Sequence, residues 1–169
     1  QALKELEVEI TKHPDNPILY NYLSAIYAKL KLRAKAEQVL MDCYNKFPDY
    51  FFGKLSYADH LLQNGYPDEV PKLLNNKYDL KQLYPERETF HISEVVGFYS
   101  LMCRYFIAKD NIRSADVYWN VLADLEKQGI DGNQQPLVDA VRMELINKKA
   151  EKVFGEKFLA RERRSIFSK

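Results

Sequence analysis

Few side chains in this sequence could do chemistry, and they are poorly grouped. Glu88-x-x-His91-x-x-Glu94 puts three potential ligands at the spacing of one helix face, and Glu-x-x-His is the unit that di-metal carboxylate bundles use in pairs. There is no second copy, and one unit lacks the four ligands such a site needs, so the spacing reads as a solvated, charge-paired helix start. His13 and His60 have no spaced partners. Cys43 and Cys103 lie in apolar helical contexts, where a thiol behaves as a small, inert packing group. No Gly-rich phosphate loop, nucleophile elbow or Cys-x-x-Cys pair is present. The expectation is a chain that is not an enzyme, with no cofactor and no metal.

The bulk properties agree. With 169 residues, 46% of them hydrophobic, the chain can build one continuous core, and a single domain is expected. The net charge of +1 argues against nucleic acid as a partner, since a clearly basic domain would be needed. Two isolated cysteines imply no disulfide framework and favour a reducing compartment. No apolar stretch is long enough to cross a membrane, and Gln1-Ala2-Leu3-Lys4-Glu5 does not look like a leader. The expected setting is soluble and cytoplasmic, with no membrane partner.

Apolar residues recur at helical spacing almost throughout, which predicts an all-α chain. One pattern recurs at a fixed distance. Residues 17–50 read Tyr20-x2-Leu23-Ser24-x2-Tyr27, then Ala36-x3-Leu40, then Pro48. This predicts a helix over 17–31 and a second over 34–47, ended by a proline that cannot continue the ladder. The next copy, from Phe51, keeps Tyr57-Ala58-x2-Leu61, a turn at Asn64-Gly65 and Val70-x3-Leu74, with Pro67 and Pro71 at the start of its second helix. A third reads Tyr99-x2-Met102-Cys103-x2-Phe106, a turn at Asp110-Asn111, and Ala115-x3-Trp119. The first two copies are 34 residues apart, and Ala115 falls 11 residues beyond that period. The extra residues belong to 75–95, and a longer second helix ending before Pro85, followed by a helix starting near Glu86, would absorb them.

The 34-residue helix-turn-helix pattern resembles the tetratricopeptide repeat (TPR) family. That resemblance implies an α-solenoid, a right-handed superhelix of antiparallel helix pairs. By the same period, Ala2 and Leu6 match Ala36 and Leu40, so residues 1–16 read as the second helix of a partial repeat. Repeats then occupy 17–50, 51–95 with the insertion, and 96–132. In 133–169, Val138-x2-Val141-Arg142-x2-Leu145 imitates the repeat but puts arginine in a slot that demands a small residue. A long capping helix over 136–164 is expected, because the terminal unit of a stack must show water a polar face.

The resemblance also implies a job, the capture of a protein or peptide segment in the concave groove lined by the first helix of each pair. By position the groove residues are Asn21 and Lys29 with Ile18 and Ala25, then Phe52, Leu55, Asp59 and Gln63, then Ser100 and Arg104 with Ala108. The relatives that clamp acidic chaperone tails need Lys, Asn and Arg side chains that this chain mostly lacks at Asn21, Ala25 and Ser100, although Arg104 could hold one carboxylate. Tyr50, Phe51 and Phe52, with Tyr78, Tyr84 and Phe90, are the aromatic residues not claimed by repeat packing.

Three other readings stand beside the scaffold. Asn147–Lys169 carries eight Lys or Arg against three Glu, so an acidic surface or nucleic acid could be met through Lys148, Lys149, Lys152, Lys157, Arg161, Arg163 and Arg164. The segment could instead regulate or orient a larger multidomain protein. Self-association through exposed repeat ends is the third.

Overall fold

The computed structural model describes residues 2–130 and 132–167, with side chains placed for 3–130 and 132–155. All regular structure among the described residues is helical: α1 (Ala2–Lys12), α2 (Pro17–Lys29), α3 (Arg33–Lys46), α4 (Phe51–Gln63), α5 (Glu69–Leu73), α6 (Leu80–Leu83), α7 (Ile92–Ala108), α8 (Ile112–Gln128) and α9 (Gln135–Phe167). The all-α expectation holds. The chain gathers into two compact units, Gln1–Asn76 and Lys77–Lys169. No described helix is long and apolar enough to cross a membrane.

In the first unit, α1 to α5 pack in chain order, and α2 also meets α4. Asn16 caps α2 by accepting from the Ile18 N–H at 3.1 Å, and Pro17 follows at the first turn, where it has no hydrogen bond to lose. Leu23, Tyr27 and Ala36 form a buried cluster with Leu3, Leu6, Ile10 and Val39 around it. The small residues set how closely α2 and α3 approach: the Ser24 hydroxyl donates to the Ala36 carbonyl at 3.0 Å. The Tyr27 hydroxyl donates to Glu7 at 2.7 Å and so ties α1 to the pair.

The second unit repeats that contact. α7 packs on α8 and both pack on α9, burying Val96, Cys103, Ala115, Leu122, Val138, Val141 and Leu145. The Cys103 thiol donates to the Ala115 carbonyl at 3.4 Å, again twelve residues on. Arg142, the residue too large for a repeat slot, lies 5.4 Å from the centre of the Trp119 ring and pairs with Glu126. Lys148 pairs with Asp110 at 3.2 Å, and Lys149 with Asp116. Lys157, Arg161, Arg163 and Arg164 lie outside the described side chains.

The turns leaving α2, α4 and α7 are the same turn. After α2, the Lys31 N–H bonds Ala28 O and the Leu32 N–H bonds Tyr27 O; Gly65/Tyr66 and Asp110/Asn111 make the equivalent pairs after α4 and α7. This is a Schellman ending, with Lys31, Gly65 and Asp110 left-handed at φ 61°, 79° and 54°. The three left-handed residues keep the spacing of the sequence pattern.

The insertion is not absorbed as the sequence predicts. α5 does not lengthen toward Pro85; it stops at Leu73 and exits through a fourth Schellman ending, with Asn75 N–H to Lys72 O and Asn76 N–H to Pro71 O. Asn75 and Asn76 are both left-handed, at φ 52° and 55°, a conformation asparagine tolerates better than most residues. Nor does a helix begin near Glu86. Only the four-residue α6, capped by Asp79, interrupts the irregular chain before α7 starts at Ile92.

A test of these turns follows from residue chemistry. Lysine at φ 61° is strained where glycine is not, so Lys31→Gly should raise unfolding stability by about 0.5–1 kcal/mol, and Gly65→Ala should lower it by about 1 kcal/mol. Urea midpoints followed by circular dichroism measure both, and a destabilised Lys31→Gly would contradict the left-handed turn.

Candidate binding groove

Within the first unit, Asn21 and Lys29 on α2 and Phe52, Asp59 and Gln63 on α4 lie on or beside two helix faces that also carry Tyr22 and Ser56. Ile18, Tyr22, Ala25 and Lys29 share one face of α2 by helical spacing, opposite the buried Leu23 and Tyr27. Ile18 is 46% exposed and Tyr22 59%, high for apolar side chains on a packed helix. On α4, Phe52, Ser56, Asp59 and Gln63 share the matching face. The two helices meet where the Ser56 hydroxyl donates to Asn21 Oδ1 at 3.3 Å.

One end of the groove is aromatic. The Phe52 ring centre lies 6.1 Å from that of Tyr50 and 5.5 Å from that of Phe51, edge to face in both cases. Burial first, then the Cys43 thiol and the Tyr22 phenol, push the Tyr50 hydroxyl above its usual value. Gly53 allows this packing, because a Cβ there would lie 3.0 Å from Tyr50 Cδ1 and 3.5 Å from Cys43 Sγ.

The other end is a polar cleft of about 470 Å³ floored by α3, with Arg33, Glu37, Asp59, His60, Gln63 and Asn64 among its walls. The Gln63 amide donates to Asp59 at 2.7 Å. His60 stacks on Tyr57, which stacks on Tyr44 at 4.4 Å between ring centres, and His60 Nδ1 lies 4.0 Å from Glu37. The cleft can accept and donate hydrogen bonds along an extended backbone, and its two serine hydroxyls are engaged within the fold, Ser24 on the Ala36 carbonyl and Ser56 on Asn21.

Two of the expected groove residues are corrected by the structure. Leu55 is 7% exposed and Ser100 1%, so neither offers its side chain to a ligand. Leu55 lies about a fifth of a turn from the Phe52 line, toward the buried Phe51 and Ala58. Almost every face of α7 is covered, Ser100 included, and the Ser100 hydroxyl has no hydrogen-bond partner among the described residues. Arg104 is half-buried and bonds Glu144 on α9 at 2.9 Å, so a carboxylate anchored there would have to displace one already in place. Asn21, Phe52 and Asp59 are half-buried, and Lys29 and Gln63 are exposed. Helical spacing on α2 and α4 could not bring in Glu37, which α3 contributes to the wall beside His60.

The Glu88-His91-Glu94 pattern is a helix start, but not one helix face. Glu88 precedes α7 in irregular chain, His91 caps the helix, and Glu94 accepts from the His91 N–H at 2.9 Å in a capping box. Arg87 holds Glu94 by two bonds of 2.9 and 2.7 Å and lies 4.5 Å from the centre of the Phe90 ring. The described residues contain no cluster of three metal-ligating side chains. The Arg87 guanidinium, opposed by desolvation and assisted by the His91 N–H, holds the Glu94 carboxyl below its usual 4.5. Burial raises both thiols, that of Cys103 to about 12.

Comparison with family models, curated proteins and solved structures gave no match to this chain.

Two measurements check the site chemistry. Neither cysteine should react with a disulfide reagent at pH 8 while the chain is folded, and both should react in urea; rapid labelling of the native chain would show an accessible thiol. Because the folded pKa of Glu94 is depressed, its contribution is present above 4.5 and lost as pH falls through the lowered value. Glu94→Gln should therefore lower Tm at pH 7, with the gap to the parent closing on acidification; a gap independent of pH contradicts the pairing.

Proposed function

We propose that this chain is a TPR-like α-solenoid module that acts as a non-catalytic protein-interaction scaffold, capturing an extended partner segment along α2 and α4. The observation that carries the reading is the recurrence of one helix-pair unit. The buried or half-buried pairs Ser24/Ala36, Ala58/Val70 and Cys103/Ala115 are each twelve apart, and the same turn geometry separates the helices of each pair. Repetition of a helix pair that cannot bury its own faces alone is the logic of a solenoid, and such stacks present extended grooves.

The groove suits a segment that lays an apolar side chain over Tyr22 and Phe52 and runs polar groups past Asn21 into the cleft beside Asp59 and Gln63. Backbone recognition of this kind uses many modest contacts around one or two anchors. Capture through the basic end of α9 is less well supported, since Lys148 and Lys149 are spent on Asp110 and Asp116.

The experiment is a paired capture. Tyr22→Ala combined with Ala25→Arg removes an exposed anchor and fills the groove without touching a buried residue. The double variant should keep its helicity and Tm yet lose roughly tenfold or more of the partner bound by the parent. Equal capture by both proteins removes the groove from the reading.

A further inference from the structure

A second surface lies in the other unit and does not depend on that groove. Tyr78, Phe106, Ser114, Val117 and Tyr118 line an open notch of about 300 Å³, at the lower limit for small-molecule sites and of a size to take one side chain. Val117 is 60% exposed on α8, away from the buried Ala115 and Leu122. The aromatic walls are held in place. The Tyr118 hydroxyl donates to the Tyr78 carbonyl at 2.7 Å, and its ring stacks on Phe106 at 5.3 Å between centres. Tyr78 in turn packs against Phe106 at 6.2 Å and Tyr105 at 6.3 Å. A preformed apolar notch with fixed walls binds without first ordering itself.

Two cations stand beside the notch. Lys77 adjoins Tyr78 in the chain, and Arg113 adjoins Ser114 and lies one helical turn from Val117. Both are exposed, and neither makes a hydrogen bond or ion pair among the described residues. Of three carboxylates nearby in the chain, two are paired with cations and Asp79 is hydrogen-bonded by neutral donors. Asp79 accepts from the Lys81 N–H and the Tyr99 hydroxyl, Asp110 holds Lys148, and Asp116 holds Lys149. Lys77 and Arg113 together outweigh Asp79, so the balance of unpaired charge at this place is positive.

We infer that this notch docks an acidic peptide segment, taking one aromatic or branched aliphatic side chain between Tyr78, Phe106 and Val117 while Lys77 and Arg113 meet the flanking carboxylates. The apolar anchor supplies affinity, and the basic rim supplies orientation and rejects basic segments.

The test is selection of a displayed random-peptide library on the full chain. Sequences carrying one apolar anchor among Asp and Glu should be enriched. They should bind Val117→Glu roughly tenfold more weakly or worse, and Lys77→Glu with Arg113→Glu should weaken them at low salt, with the difference fading as salt is raised. Circular dichroism confirms that these exposed substitutions leave the fold intact. The same peptides should bind the Tyr22→Ala, Ala25→Arg double variant unchanged, which separates this surface from the α2/α4 groove. Enrichment of neutral or basic sequences, no enrichment, or full binding to Val117→Glu overturns the inference.

Discussion

The distance at which paired helices meet governs this chain. At Ser24 and Ala36 the side chains are so small that a hydroxyl on one helix reaches the backbone carbonyl of the next, and at Cys103 and Ala115 a thiol does the same. Ala58 and Val70 occupy the equivalent places and are fully buried. A larger residue at any of these places would push the helices apart and open the packing of Tyr27, Leu40 or Leu122 beyond it, because a packed interior has no slack to absorb an added methylene. The donor is also a filter. A buried carbonyl at the contact gains a partner, and the polar atom of Ser24 or Cys103 is satisfied where an unpaired one would be costly.

The Schellman endings complete that constraint. Two hydrogen bonds and one left-handed residue reverse the chain within a few positions, so the second helix of a pair starts in a fixed direction relative to the first. Glycine fills this place once and lysine and aspartate fill it the other two times, which shows that geometry is imposed by packing even where the residue is not ideal. The same device stops α5 early at Asn75 and Asn76. There it interrupts the pattern instead of extending it.

Much of this was legible before the fold was seen. The small residues, the turn positions and the proline stops are set by local sterics, and these leave a mark on residue type that spacing reveals. The insertion was opaque because periodicity says where apolar residues return but not whether a helix persists between them; two adjacent asparagines outweighed the propensity of the residues around them. Leu55 and Ser100 were misplaced for a related reason. Helical spacing assigns a residue to a face, but how much of that face is covered depends on its neighbours in space, and α7 is covered on nearly all sides. Arg104 was visible as a charge, but its partner Glu144 lies 40 residues away and only the packing of α9 on α7 brings them together.

The brevity of α5 has a dynamic consequence. α4, at thirteen residues, runs about 20 Å, while the five-residue α5 runs less than half that. A helix of little more than one turn has almost no cooperativity of its own, so its persistence rests on the buried Val70 within it and the buried Leu74 at its C-cap. Its amide protons should therefore be among the first of the regular structure in Gln1–Asn76 to exchange with solvent, well ahead of those in α2 and α3. The end of that unit is then a latch of low cooperativity, able to open and reclose while α2 and α3 stay folded.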